Sequence, residues 1–195
     1  DPLRTLLVVP ALLPDEETID RNIRALEVHH LSNTDRNLIF ALLTDWEDSD
    51  SESTVHDRPL LEAAQKGIDE LNAHYGEQRF FLLHRRRCWN AAQGKWMGWE
   101  RKRGKLHELN RLLRGATDTS FIVAADTLAQ LGHSIRYVIT LDADTRLPRG
   151  SAIRLVGKMA HPLNRPVIDQ DLGRVIHGHA ILQPRVTPSL PPSRQ

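Results

Sequence analysis

Two apolar rhythms alternate along the chain. Thr5-Leu6-Leu7-Val8-Val9 is a continuous apolar run broken by Pro10, the pattern of a strand buried on both faces. Pro14-Asp15-Glu16-Glu17 then places carboxylates where a helix dipole favours them, and Ile19, Ile23, Leu26 and His30 return at helical spacing. Asn37 to Leu43 repeats the buried-strand run. A helix is expected from about Asp57, with Leu61, Ala64, Ile68, Leu71 and Tyr75 along one stripe and Gly76 as its C-cap. Arg79 to Leu83 predicts a third strand, Lys105 to Leu113 a short helix, and Arg136 to Leu141 a fourth strand. Ser151 begins a helix through Ala160, and Val175 to Leu182 predicts a fifth strand. Because each parallel pair needs a crossover, this order predicts an α/β fold with a mostly parallel sheet and helices on both faces. Ligands of such sheets gather outside the carboxyl ends of the strands, so the loops after Val9, Leu43, Leu83 and Leu141 should share one rim.

Length and composition narrow this picture only slightly. The 195 residues suit one domain, 1–195, with no linker in the middle and an irregular tail expected over 184–195, where Pro184, Pro188, Pro191 and Pro192 follow the last strand. Apolar residues at 40% and charged residues at 26% describe a chain able to bury a core. The lone Cys88 forms no internal disulfide or metal-binding pair, and the longest early apolar run, Leu6 to Leu13, falls far short of the roughly 18 residues a membrane span needs. The chain opens at Asp1-Pro2 just before a strand and ends in prolines, which predicts a segment of a longer polypeptide, truncated at the C-terminal side.

The formal charge of +1 conceals two blocks of opposite sign. Asp45, Glu47, Asp48, Asp50, Glu52 and Asp57 crowd the stretch after the second strand, and most of these read as a solvated loop. Asp45 stands apart: it sits at the strand's carboxyl end, where it could accept hydrogen bonds from a base or ribose. The second block runs from His84 to Lys105, with Arg85, Arg86, Arg87, Lys95, Arg101, Lys102, Arg103 and Lys105 interleaved with Trp89, Trp96 and Trp99. Such a loop suits single-stranded nucleic acid, a diphosphate or a stacked sugar, or is a solvated loop with its indoles against the core. Asp142-Ala143-Asp144 ends an apolar strand. Where a strand gives way to a loop, two carboxylates so spaced can turn toward one hard cation, Mg2+ or Mn2+, that bridges to a diphosphate and neutralises a leaving group. Two ordinary solvated strand-end aspartates would read the same.

Arg103-Gly104-Lys105-Leu106-His107-Glu108-Leu109-Asn110, Tyr137 to Pro148 (YVITLDADTRLP) and Gly178 to Val186 (GHAILQPRV) together resemble the glycosyltransferase domain of cyclic β-1,2-glucan synthases, relatives of the inverting group that includes cellulose synthases. The resemblance covers most of the chain. It implies a GT-A, Rossmann-like fold, UDP-glucose as donor, a growing glucan as acceptor, and inverting transfer to its 2-hydroxyl. Residue by residue it implies Pro10 at the nucleotide edge, Asp45 near the uracil, Lys105 on the nucleotide side, and Asp142 and Asp144 as the metal pair. Asp144 is preferred as the direct metal ligand, with Asp142 at the ribose or the metal. It also implies a large membrane-embedded polypeptide with this part on the cytoplasmic face of the bacterial inner membrane, and a general base beyond Gln195, so that the isolated chain is expected to be inactive.

Gly178-His179-Ala180 departs from the Gly-Tyr-Gly often found there. His177 and His179 would share a face of the fifth strand but lack a third ligand, and Asp169 and Asp171 are not nominated as base. Two rival readings stand beside this one. One is a haloacid-dehalogenase-type phosphotransferase with Asp142 as nucleophile and Asp144 as acid or base. The other is a nucleic-acid-binding module using residues 84–105. The resemblance implies no nucleic-acid partner.

Overall fold

The computed structural model describes residues 3–122, 127, 131 and 135–187. It divides into two compact units, Asp1–Ala152 and Ile153–Gln195. The first is built on a five-stranded sheet of β1 (Thr5–Leu12), β2 (Leu38–Asp45), β3 (Phe80–Arg85), β6 (Phe121–Ile122) and β7 (Tyr137–Thr140), in the order β6-β3-β2-β1-β7. The pairs β1/β2, β2/β3 and β1/β7 are parallel, and only the short β6 runs antiparallel. This is the mostly parallel, Rossmann-like α/β sheet expected from the alternation of runs.

Burial on both faces follows from helices on both sides. Leu6, Val8, Ile39, Ala41, Leu43, Phe81 and Leu83 form one core with Leu109 and Leu112 of α3 (Arg101–Leu112). On the opposite face lie α1 (Glu16–Ser32) and α2 (Asp57–Tyr75), and the His30 ring stands edge-on to Phe40 of β2 and Phe80 of β3. Asp15 caps α1 by accepting the Thr18 N–H at 2.7 Å, and Gly76 ends α2 at φ 66°, the left-handed conformation glycine adopts freely. Gly67 lets the two helices meet: a Cβ there would stand 2.3 Å from Ile23 Cδ1.

The strand order places a topological switch beside β1. The chain winds outward from β1 to β2 to β3, then returns to β7 on the other side of β1. The carboxyl ends of β1 and β7 mark this switch, the place where open α/β sheets bind ligands. β1 continues past the last residue of β7: Val8 still accepts the Leu141 N–H, and beyond it position 10 faces the same edge, where among the described residues no strand pairs with it. Pro10, which has no N–H to donate, therefore costs no ladder bond.

Several elements differ from expectation. The basic loop contains a hairpin, β4 (Cys88–Asn90) with β5 (Lys95–Met97), closed by Gly94 at φ 61°. Helix α3 starts at Arg101, four residues before the expected Lys105. The expected fifth strand of the sheet is instead β9 (Arg174–His177), paired antiparallel with β8 (Val167–Asp169) in the second unit. It stops there because Gly178 has φ 73° and packs so close to the Arg165 carbonyl that a Cβ would lie 2.0 Å from that oxygen. Ser151–Ala160 is helical, as expected, and forms α4, within which the division between the units falls. Residues 181–187 have no regular structure, and the rest of the expected tail, 188–195, lies outside the described residues.

Candidate functional site

Period two along β2 and β3 puts two charged side chains at the ends of otherwise apolar rows. Ala41, Leu43 and Asp45 pair in register with Phe81, Leu83 and Arg85. Arg85 is 0% exposed and donates from Nε and Nη2 to the two Asp45 oxygens at 2.7 and 3.0 Å, the bidentate geometry that makes Arg–carboxylate pairs strong. Its Nη1 also reaches Glu108 at 3.0 Å, and Nη1 and Nη2 donate to the carbonyls of Trp99 and Arg101. Those carbonyls flank Glu100 and Arg101, which hold φ values of 51° and 48°, a region that non-glycine residues occupy only at a cost. The guanidinium thus fixes the turn that starts α3.

Lys105 completes this buried cluster. Its Nζ lies 3.1 Å from Asp45 Oδ2 and donates to the carbonyls of Ala11 and Leu43 at 2.7 and 3.2 Å. The ammonium joins the carboxyl ends of β1 and β2 to α3; burial pushes its pKa down, and the Asp45 carboxylate pulls it back up. Burial pushes the Glu108 carboxyl up, but hydrogen bonds from Ser120 and Thr119 and the Arg85 charge outweigh it and leave the pKa lowered. Asp45 and Lys105, expected together on the rim, are indeed together there, each buried and turned onto protein partners. Pro10 is half-buried in β1, paired with Leu43.

Asp142 and Asp144 lie at the switch point, in the exposed tight turn directly after β7, which the Thr145 N–H closes onto the Asp142 carbonyl at 2.9 Å. Here the backbone is no longer extended, so the opposite-face alternation of a strand does not bind these two carboxylates. Lys102, in the first turn of α3, forms an ion pair with Asp142. Among the described residues no group of three or more His, Cys, Asp or Glu is arranged for a metal ion. A cation held here would complete its shell with water or ligand oxygens, a habit of Mg2+ and Mn2+. Two hard carboxylate oxygens fit such an ion, and the Lys102 ammonium beside Asp142 shows that the position accepts positive charge.

The two sequence blocks of opposite charge pair largely with each other. Asp48 binds Arg101 at 2.7 Å, Asp50 binds Lys95 at 2.6 Å and Asp57 holds Arg87 with both oxygens. A bridge between Ser49 and Trp96 sews the acidic loop to the hairpin. Seven of the eight basic residues named from 84–105 have a carboxylate within ion-pair distance. Arg85, Arg87 and Lys105 are buried on their partners, whereas Lys95, Arg101, Lys102 and Arg103 pair at the exposed surface, where such contacts are weak. Trp89 and Trp99 are about half exposed, while Trp96 is partly covered and lies 5.8 Å from Trp89 between ring centroids. His177 ends β9 and His179 lies beyond the Gly178 kink, its N–H on the Asn164 carbonyl, so the two histidines do not share a strand face.

Sequence reasoning overlooked Arg85, because an arginine beside two others reads as surface. The signal was its parity with Phe81 and Leu83. It gave Glu108 no role and named Lys102 only as one of the basic block, although each lies within three residues of Lys105.

No family model matches the chain. It is 53% identical over 190 residues to Cyclic beta-(1,2)-glucan synthase NdvB of Rhizobium meliloti (strain 1021), over 96% of the chain. The chain is homologous to a segment of a cyclic β-(1,2)-glucan synthase. It spans 7% of that relative's length. The similarity first seen in three motifs thus extends over nearly the entire chain, including the β2, β3 and hairpin segments that those motifs leave out. No helix among the described residues is long and apolar enough to cross a membrane.

Proposed function

We propose that the chain is the donor-binding part of a glycosyltransferase that moves glucose, with inversion, from UDP-glucose to a growing β-1,2-glucan. The observation that carries this is the position of Asp142 and Asp144: directly after β7, at the switch point of a parallel sheet, in a chain 53% identical to a segment of a cyclic β-(1,2)-glucan synthase. A bound Mg2+ or Mn2+ would neutralise charge on the diphosphate leaving group. Asp142 and Asp144 would hold that ion and leave part of its shell to the phosphate oxygens. Pro10 and the ends of β1 and β2 border the nucleotide. Asp45, Lys105 and Arg85 keep that border rigid, so the donor meets a surface that needs no rearrangement. The same reading makes the chain part of a membrane-embedded synthase, on the cytoplasmic face of the inner membrane. Calorimetry of UDP with the chain tests it: binding should require Mn2+ or Mg2+, and Asp144→Asn should abolish it. Equal binding in EDTA, or none with metal, would remove the reading.

A further inference from the structure

We propose that Lys102, not Lys105, is the lysine that meets the donor's diphosphate, and that Lys105 is a positioning residue. The proposal rests on the donor-site reading above and deepens it. An ammonium has three hydrogens, and Lys105 directs them to Ala11 O, Leu43 O and Asp45 Oδ2, with the residue 3% exposed. Turning Lys105 to a ligand would strip two strand-end carbonyls and a buried carboxylate of a partner, and each such loss is costly. Arg85 is also committed, to Asp45, Glu108 and two carbonyls. Neither buried cation can reach out without breaking the cluster that joins the ends of β1 and β2 to α3.

Lys102 stands one turn earlier on the same helix, and its side chain is 51% exposed. It already contacts Asp142, the first carboxylate of the pair at the switch point. An ion pair between half-exposed groups is cheap to break, so this one can exchange. A divalent ion at Asp142 and Asp144 would outcompete the single charge of Lys102. The displaced ammonium would then be free for the diphosphate that binds with the ion. The local charge pattern agrees: the first turn of α3 has no acid and carries Arg101, Lys102 and Arg103, although a helix N-terminus disfavours cations. Arg101 and Arg103 are paired with Asp48 and Glu100, and Lys102 with Asp142.

This exchange gives Lys102→Gln effects of opposite sign on two ligands. With Mn2+ alone, the variant should bind the ion severalfold more tightly, because the competing ammonium is gone. With UDP in saturating Mn2+, it should bind at least tenfold more weakly, while uridine, followed by NMR shifts, binds as to the unaltered chain. Lys102→Arg should recover most of the UDP affinity, and the unfolding midpoint of both variants should stay put. Lys102→Gln binding UDP within twofold of the unaltered chain, or losing UDP and uridine equally, overturns the proposal. If the unaltered chain shows no metal-dependent UDP binding, the donor-site reading itself fails.

Discussion

Replacing Arg85 by methionine keeps much of the side chain's volume and removes its charge from a fully enclosed place. Two carboxylates then lose a partner at once. Among the described residues Asp45 keeps only Lys105, at 3.1 Å, while Glu108 keeps the Ser120 N–H and hydroxyl and the Thr119 hydroxyl. The carbonyls of Trp99 and Arg101 also lose the guanidinium as a donor, at a turn where two residues already sit at positive φ. Breaking a buried ion pair from one side costs about 3–5 kcal/mol. The contacts left to Asp45 and Glu108 place this case near the lower figure, about 3 kcal/mol, which is on the order of 10 °C in midpoint for a chain of this size. Urea unfolding followed by far-UV circular dichroism measures the loss. Arg111→Met, which breaks the exposed pair with Asp118, serves as control and should barely move the midpoint. The double variant Arg85→Met/Asp45→Asn should lose less than the sum of its parts, by about 1–3 kcal/mol, because the second change removes the charge that the first left stranded. An Arg85→Met chain that unfolds at the unaltered midpoint would refute the claim that this guanidinium fixes the start of α3.

Gly98→Ala tests the same cluster without touching a charge. Its Cβ would fall 2.6 Å from Asp45 Oδ2 and 2.9 Å from Arg85 Nη2, so urea unfolding should show a loss of about 1–3 kcal/mol, whereas Gly157→Ala, with no atom within 4 Å, should be neutral or gain up to about 1 kcal/mol. His84 makes stability fall in mild acid. It is buried, its Nδ1 lies 2.8 Å from the Thr44 hydroxyl, and burial pushes its pKa down to about 4 from 6.5. Above 6.5 the ring is neutral in both folded and unfolded chains. As pH falls from 6.5 toward 4 only the unfolded chain takes up the proton, so stability drops by up to about 3 kcal/mol over that window. Unfolding midpoints measured across it should decline in the unaltered chain and less steeply in His84→Gln, where His29 and His30, also lowered by burial, still contribute; parallel profiles would contradict the assignment.

The sheet was legible because burial on both faces leaves continuous apolar runs, and Leu6 to Val9, Leu38 to Leu43 and Phe80 to Leu83 are such runs. Strand direction was not legible in Val175 to His177, where a short run of the same composition pairs antiparallel with Val167–Asp169. Periodicity reports which side chains are covered, not which way a neighbour points. The β4–β5 hairpin escaped notice because its strands have three residues each and its tryptophans face one another across the turn rather than alternating along a run. Asp142 and Asp144 could be found because chain position alone put them at a strand's end. The clustering of Asp45 with Lys105 was legible in the same way, but their burial was not. It depends on Arg85 standing opposite Asp45 in register, a cross-strand fact that no single stretch of sequence contains. The neutralisation of the acidic loop by the basic one was hidden for the same reason, since Asp50 and Lys95 meet across 45 residues of chain.

Metal-dependent binding of UDP is the most direct test of the proposed donor site at the end of β7. Titrating UDP into the unaltered chain in the presence of Mn2+, and again in EDTA, should give a binding isotherm only with the metal, and Asp142→Asn or Asp144→Asn should erase it while leaving the unfolding midpoint unchanged. An isotherm that survives both EDTA and the loss of either aspartate would contradict the account.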